Sequence, residues 1–129
     1  MKQKIDKGIM DNIKLAAQTI HNKKGNNLLT LDVRGFSCLT DYLLIAEGNI
    51  NRHVIAIAKE VLKSMKEKDV EPIYVEGLGN GDWVVLDFSD FMIHLFIPSF
   101  REKYQLERLW PESKLVELTL SSIDEKLSG

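Results

Sequence analysis

Five consecutive apolar residues, Tyr42–Ala46, constrain the fold of this chain more than any other feature of its sequence. A strand with one solvated face alternates apolar and polar residues, because successive side chains point to opposite faces. A strand with no polar member has to be covered on both faces. We therefore expect Tyr42–Ala46 to be a central strand, with other elements packed on each side of its sheet.

Two amphipathic helices are predicted, since apolar residues recur in both at steps of three and four. The first is predicted over residues 4–22 and is closed by Lys23-Lys24-Gly25, with Gly25 taking the left-handed cap. The second follows the turn Gly48–Asn51, which should provide a side-chain cap, and runs to about Lys68. Its predicted buried stripe is Val54, Ile57, Ala58, Val61, Leu62 and Met65.

A β-hairpin is predicted where Trp83–Phe88 and Phe91–Ile97 flank the turn-like Ser89-Asp90. A loop centred on Phe88-Ser89 would place Trp83 opposite His94, Val85 opposite Met92 and Asp87 opposite Asp90. Alternation then puts one set of side chains on a partly free face: Trp83, Met92, His94 and Phe96. The opposite face is wholly apolar and is the better core candidate: Ile93, Leu95 and Ile97.

The remaining segments complete an α/β (α+β) fold with a mixed sheet of about five strands. Further strands are predicted at Leu29–Val33 and Glu71–Leu78, with a short one at Lys114–Leu118. A helix is expected over Phe100–Leu109 and a frayed one from Ser122. We expect one domain over residues 1–118 and a polar tail over 119–129.

Composition excludes several classes of protein. The net charge is −2, from 17 basic and 19 acidic residues, which argues against a domain devoted to nucleic-acid phosphates. No apolar run approaches the roughly 20 residues that a membrane span needs, and the N-terminus lacks the apolar region of a secretory signal. A single cysteine, Cys38, agrees with a reducing compartment. We expect a cytoplasmic protein that contacts no membrane.

Candidate catalytic motifs are weak. Gly77-Leu-Gly79-Asn-Gly81 joins two strands, whereas phosphate loops open a helix, so it is interpreted as a hairpin connection. Asp87 and Asp90 could hold magnesium for nucleotidyl transfer, but turn acids that bond the local backbone are the simpler interpretation. His94 has no metal-ligand partner at the usual spacing. We expect no cofactor, no metal and no catalysis.

The residues between Trp83 and Trp110 instead have the composition of a protein interface, where Trp, Tyr and Arg are enriched. The candidates are Trp83, His94, Phe96, Phe100, Arg101, Tyr104, Leu106, Leu109 and Trp110. One alternative is that some of these aromatics only complete the core, above all Phe96, Phe100 and Leu109. Another is a small RNA-binding module that stacks bases on the aromatic face.

Three segments together resemble the ribosomal silencing factor family, also called Iojap-related. They are DVRGFSCLTDYLLIAEGN, NRHVIAIAKEV and EGLGNGDWVVLDFSDFMIHLFIPSFREKYQLERLW. The resemblance covers residues 5–118 and includes Thr40-Asp41-Tyr42, Glu76-Gly77 and Leu109-Trp110. It departs from the family's common pattern at Leu43, Ser89 and Asn51, where Phe, Gly and a nearby Ser are usual.

The resemblance implies a nucleotidyltransferase-like topology without catalytic acids. It further implies binding to the large ribosomal subunit through large-subunit protein fourteen, exclusion of the small subunit, and repression of translation. A role in late large-subunit assembly and a homodimer off the ribosome are also implied, with no sequence-specific nucleic-acid contact. The partner-binding residues expected on this basis are Trp83, Asp87, His94, Phe96, Arg101, Tyr104, Leu106 and Trp110.

Overall fold

A computed structural model describes residues 7–37, 39–109 and 113–121. The helices are α1 (Lys7–Asn22), α2 (Asn51–Lys66) and α3 (Pro98–Tyr104), with a 3-10 turn at Leu106–Leu109. The strands are β1 (Asn26–Asp32), β2 (Tyr42–Glu47), β3 (Tyr74–Glu76), β4 (Trp83–Asp87), β5 (Phe91–Phe96) and β6 (Lys114–Leu115). None of the described helices is both long and apolar enough to cross a membrane.

All six strands form one sheet in the order β3-β4-β5-β2-β1-β6, with β2 inside it. β2 pairs antiparallel with β1 and parallel with β5, and its residues from Tyr42 to Ala46 are all buried. The predicted central strand is therefore confirmed, as is the mixed α+β class. The sheet has six strands rather than about five, because the last predicted strand pairs with β1 over two residues.

The two faces of the sheet are covered unequally. α1 and α2 close one face, where Ile93 and Leu95 are fully buried as predicted. On the other face a smaller cluster lies beneath α3 and the 3-10 turn, and it includes Leu43, Ile45 and Phe96. This second face, called the open face below, is covered only in part.

The end of α1 differs from the prediction in one detail. Lys24, with φ 67°, takes the left-handed cap position instead of Gly25. The Gly25 N–H donates to the Ile20 carbonyl at 2.8 Å, and a Cβ on Gly25 would lie 2.5 Å from Ile20 Cγ2. Glycine is needed there for close packing rather than for its backbone angle.

No side chain caps the N-terminus of α2, so the expected cap in Gly48–Asn51 is wrong. The cap residue is Ile50, and Asn51 turns its amide to the Asn80 carbonyl at 3.1 Å and to the Asp82 carboxylate. A side chain inside the helix holds the preceding turn, because His53 Nδ1 accepts the Asn49 N–H at 2.9 Å. Asn51 thus connects α2 to the loop over residues 77–82, which contains Gly77, Gly79 and Gly81.

The β4–β5 hairpin is confirmed, but its predicted register is wrong by two residues. Trp83 lies opposite Phe96 and Val85 opposite His94, because the two loop residues are Ser89 and Asp90. A shift of two preserves every face assignment. Ser89 has φ 75°, and the Asp90 N–H donates to the Phe88 carbonyl at 2.9 Å. Ser89 therefore occupies a backbone region that favours glycine.

Segments near the sheet edges are shorter than predicted. β3 has only three residues, because Gly77 turns the chain with φ 92°. The predicted helix over 100–109 breaks at Gln105, whose left-handed backbone (φ 42°) allows Leu106 to pack on the open face. Val116, Leu118 and Leu120 pack on the helix side of the core. The predicted helix from Ser122 lies outside the described residues.

Gly77→Ala should destabilise the fold by at least about 2 kcal/mol, because alanine resists a positive φ and its Cβ would lie 2.0 Å from the Trp83 carbonyl oxygen. Gly79→Ala is the matched control, since no atom lies within 4 Å of a Cβ there. Urea unfolding of the two variants tests this prediction. Equal midpoints would contradict the packing role assigned to Gly77.

Candidate functional site

An aromatic cluster occupies the open face where β4, β5 and α3 meet. Trp83 is its centre: its ring centroid lies 4.9 Å from that of Phe96, 5.0 Å from Tyr104 and 5.9 Å from His94. Phe100 joins through Tyr104 at 5.7 Å. Strand alternation brings Trp83, His94 and Phe96 to one face, and α3 adds the two residues one helical turn apart. The sequence therefore predicted the members of this cluster.

A hydrogen bond fixes the orientation of Trp83. Its Nε1–H donates to His94 Nδ1 at 2.9 Å, so the proton of the neutral imidazole is on Nε2. Burial disfavours the charged ring and lowers the pKa of His94 to about 4. His94 therefore stays neutral at pH 7 and keeps Nδ1 available as an acceptor. A tryptophan held in this way loses little further freedom when a partner binds.

The predicted site residues differ greatly in exposure. Phe96 is 0% exposed and His94 8%, so both support the cluster from beneath, and Leu106 is buried beside them. Tyr104 is 44% exposed and Trp83 half-buried, so these two offer surface to a partner. Leu109 extends the apolar surface from the 3-10 turn. Trp110 lies outside the described residues.

The two charged residues of the predicted site, Asp87 and Arg101, bond within the chain. Asp87 Oδ1 accepts the Ser89 N–H at 2.8 Å, which confirms the interpretation of Asp87 as a turn acid. Arg101 Nη1 donates to the Asn27 carbonyl and lies 3.4 Å from Glu47 Oε2. Arg101 thus ties α3 to the ends of β1 and β2, where a charge-assisted bond with little solvent is strong.

A polar groove of about 620 Å³ runs beside the cluster, past the Arg101–Glu47 pair. Glu107 and Arg108 lie along its other wall. Glu107 Oε1 is buried and accepts no hydrogen bond from the described residues. The site therefore combines an apolar platform with a charged border, which is the common anatomy of protein interfaces.

Sequence reasoning missed part of this surface. Val85 is half-buried on the open face, as is the predicted Met92, and Tyr74, which is 52% exposed, lies opposite Asp87 on the same face. They extend the platform from Trp83 towards the β3 edge. Side chains alternate between the two faces along β3, which assigns Tyr74 to the open face once the pairing of β3 with β4 is known. The sequence alone did not give that pairing.

Comparisons with known proteins agree on one family. Residues 6–128 match the family described as "Ribosomal silencing factor during starvation". A ribosomal silencing factor of Bacillus subtilis is 35% identical over 106 residues, which cover 82% of this chain and 90% of that protein. The mouse protein named "Mitochondrial assembly of ribosomal large subunit protein 1" is 28% identical, and the match covers 94% of this chain and 51% of the mouse protein.

A solved structure shows the same architecture. The crystal structure of a Chromobacterium violaceum protein superposes with a TM-score of 0.78 at 30% sequence identity. The superposition covers 89% of this chain and 95% of that one. The described fold is therefore shared over nearly its whole length.

The buried His94 should make stability depend on pH. Its pKa is lowered from 6.5 to about 4, so the unfolded chain binds the extra proton, and the free energy of unfolding falls by roughly 3 kcal/mol as the pH drops through that window. The contribution is fully present above about pH 6.5. His94→Gln keeps an acceptor for Trp83 without titrating, and should unfold with a shallower pH dependence in urea. Parallel pH profiles for the two proteins would refute this role.

Proposed function

The chain belongs to the ribosomal silencing factor family, and from that premise we propose that it represses translation by binding the large ribosomal subunit. The contact would be large-subunit protein fourteen, and the bound chain would block joining of the small subunit. One observation carries this proposal: the aromatic cluster presents a rigid apolar platform on a sheet face that the chain itself leaves half covered.

The platform has the properties of an interface hot spot. The half-buried Trp83 and the exposed Tyr104 combine a large apolar area with a polar group. Trp83 rests on the buried Phe96 and His94, and Tyr104 packs on Trp83. The Trp83–His94 bond and the Arg101–Glu47 pair hold the platform in one arrangement before binding. Such preorganisation lowers the entropy cost of association.

The proposed mechanism is steric exclusion and needs no catalytic turnover. A factor that occupies the surface where the subunits meet lowers the concentration of joining-competent large subunits by mass action. We place this activity in the cytoplasm and infer that the free protein is a homodimer. The name of the mouse relative links that protein to assembly of the large subunit, which supports the large subunit as the target.

The predicted partner-binding residues divide into three roles within this proposal. Trp83, Tyr104 and Trp110 contact the partner directly. Phe96, His94 and Leu106 support them from below, and Arg101 and Asp87 fix the positions of α3 and the hairpin loop.

Tyr104→Ala should weaken binding to isolated large subunits by about 30-fold, the effect of removing one hot-spot residue of about 2 kcal/mol. Co-sedimentation at increasing protein concentration measures the affinity, and sucrose gradients measure subunit joining. The variant should also need more protein to block joining.

Phe36→Ala provides the control, because Phe36 is 47% exposed but lies in the turn that follows β1 at the other end of the strands. This variant should bind and block joining as the unaltered chain does. Equal losses in both variants would contradict the assignment of the open face. Wild-type protein that fails to bind large subunits would refute the proposed function itself.

A further inference from the structure

The outer face of α2 carries a stripe of positive charge that the aromatic site does not use. Arg52, Lys59, Lys63 and Lys66 are all exposed, and Ala56 fills the remaining exposed position between them. These positions follow steps of three and four residues, so they share one face of the helix. At 1.5 Å per residue the stripe is about 21 Å long. We call it the α2 stripe.

Among the described residues, no ion pair joins a carboxylate to a cation of the α2 stripe, although Glu67 is exposed and lies four residues after Lys63. Glu60 is half-buried on the flank of the helix, and the two ion pairs formed among the described residues lie elsewhere, at Arg34–Asp32 and Arg101–Glu47. Lys59 and Lys63 are four residues apart, where like charges destabilise a helix by a few tenths of a kcal/mol. In a chain with a net charge of −2, positive charge is thus concentrated on one face of α2.

The stripe and the aromatic cluster face opposite sides of the sheet. The buried side of α2, including Val54 and Ile57, packs in the core on the helix-covered face. The aromatic cluster occupies the open face. A partner that meets Trp83 therefore leaves the α2 stripe exposed to a second contact.

We propose that the α2 stripe binds the phosphate backbone of RNA in the large subunit, so that the docked chain is held from two sides. This inference rests on the proposed function for its target. Duplex nucleic acid carries phosphates in continuous rows, with one phosphate on each strand for about every 3.4 Å of helix axis in DNA, so a stripe of this length faces several of them at once. Charge complementarity thus selects a polyanion.

The composition of the stripe favours backbone contact over base reading. Three of its four cations are lysines, which act as flexible point charges rather than bidentate readers of base edges. The exposed face of α2 carries no Phe, Tyr or Trp on which a single-stranded base could stack. We therefore expect the contact to be independent of the nucleotide sequence of the RNA, and its affinity to fall as the salt concentration rises.

The test compares Lys59→Gln/Lys63→Gln with the unaltered chain in binding to isolated large subunits at several KCl concentrations and constant Mg²⁺. Removing two phosphate contacts should reduce the slope of log K against log[KCl] by about 2. Tyr104→Ala should lower the affinity and leave the slope unchanged. Thermal unfolding confirms that each variant is folded.

The charge-matched control is Lys23→Gln/Lys24→Gln, which removes two exposed lysines at the end of α1. Its slope should stay close to that of the unaltered chain. A slope for Lys59→Gln/Lys63→Gln equal to that of the unaltered chain, or an equal reduction in the control, would overturn the proposal.

Binding to a short RNA duplex and to polyglutamate tests which class of polyanion the α2 stripe prefers when no ribosomal subunit is present. The unaltered chain should bind the duplex, and Lys59→Gln/Lys63→Gln should not. Tighter binding to polyglutamate would overturn the assignment to RNA in favour of an acidic polypeptide. If the unaltered chain bound the duplex but not large subunits, the proposed function would fail while the stripe remained an RNA contact.

Discussion

The parallel pairing of β2 with β5 is the constraint on which the rest of the structure depends. It places two apolar strands side by side at the centre of the sheet, and it requires the chain between them to leave the sheet and return. α2 makes that excursion and, with α1, packs on one face of the sheet. The other face receives only a short helix and a turn, so a surface remains for other molecules.

This unequal cover explains where the aromatic residues lie. On the face covered by α1 and α2, β5 contributes Ile93 and Leu95, which need no polar partner. On the open face it contributes His94 and Phe96, beneath Trp83. The neutral imidazole is suited to this boundary, because it satisfies the indole N–H without bringing a charge into a buried position. One hydrogen bond thus links the hairpin to the surface that we assign to the partner.

The same architecture gives the chain two chemically different sides. In the binding mode that we propose, apolar contact on the open face would supply specificity, and the α2 stripe would supply attraction that salt screens. A ribosomal subunit presents both protein and RNA, so a small domain with one face for each is well matched to it. The overall charge of −2 conceals this division, because it averages over the surface.

The sequence by itself determined the central strand, both long helices, the hairpin and the face on which Trp83 and His94 meet. Periods of 2 and 3.6 residues specify faces, and a register error of two residues leaves them unchanged. Only the tertiary structure decided which members are exposed, because burial depends on what packs above a face. It placed Phe96 under Trp83, committed Arg101 to Glu47 and brought Tyr74 beside the site. Contacts between residues distant in the chain leave no periodic pattern in the sequence, so only the tertiary structure reveals them.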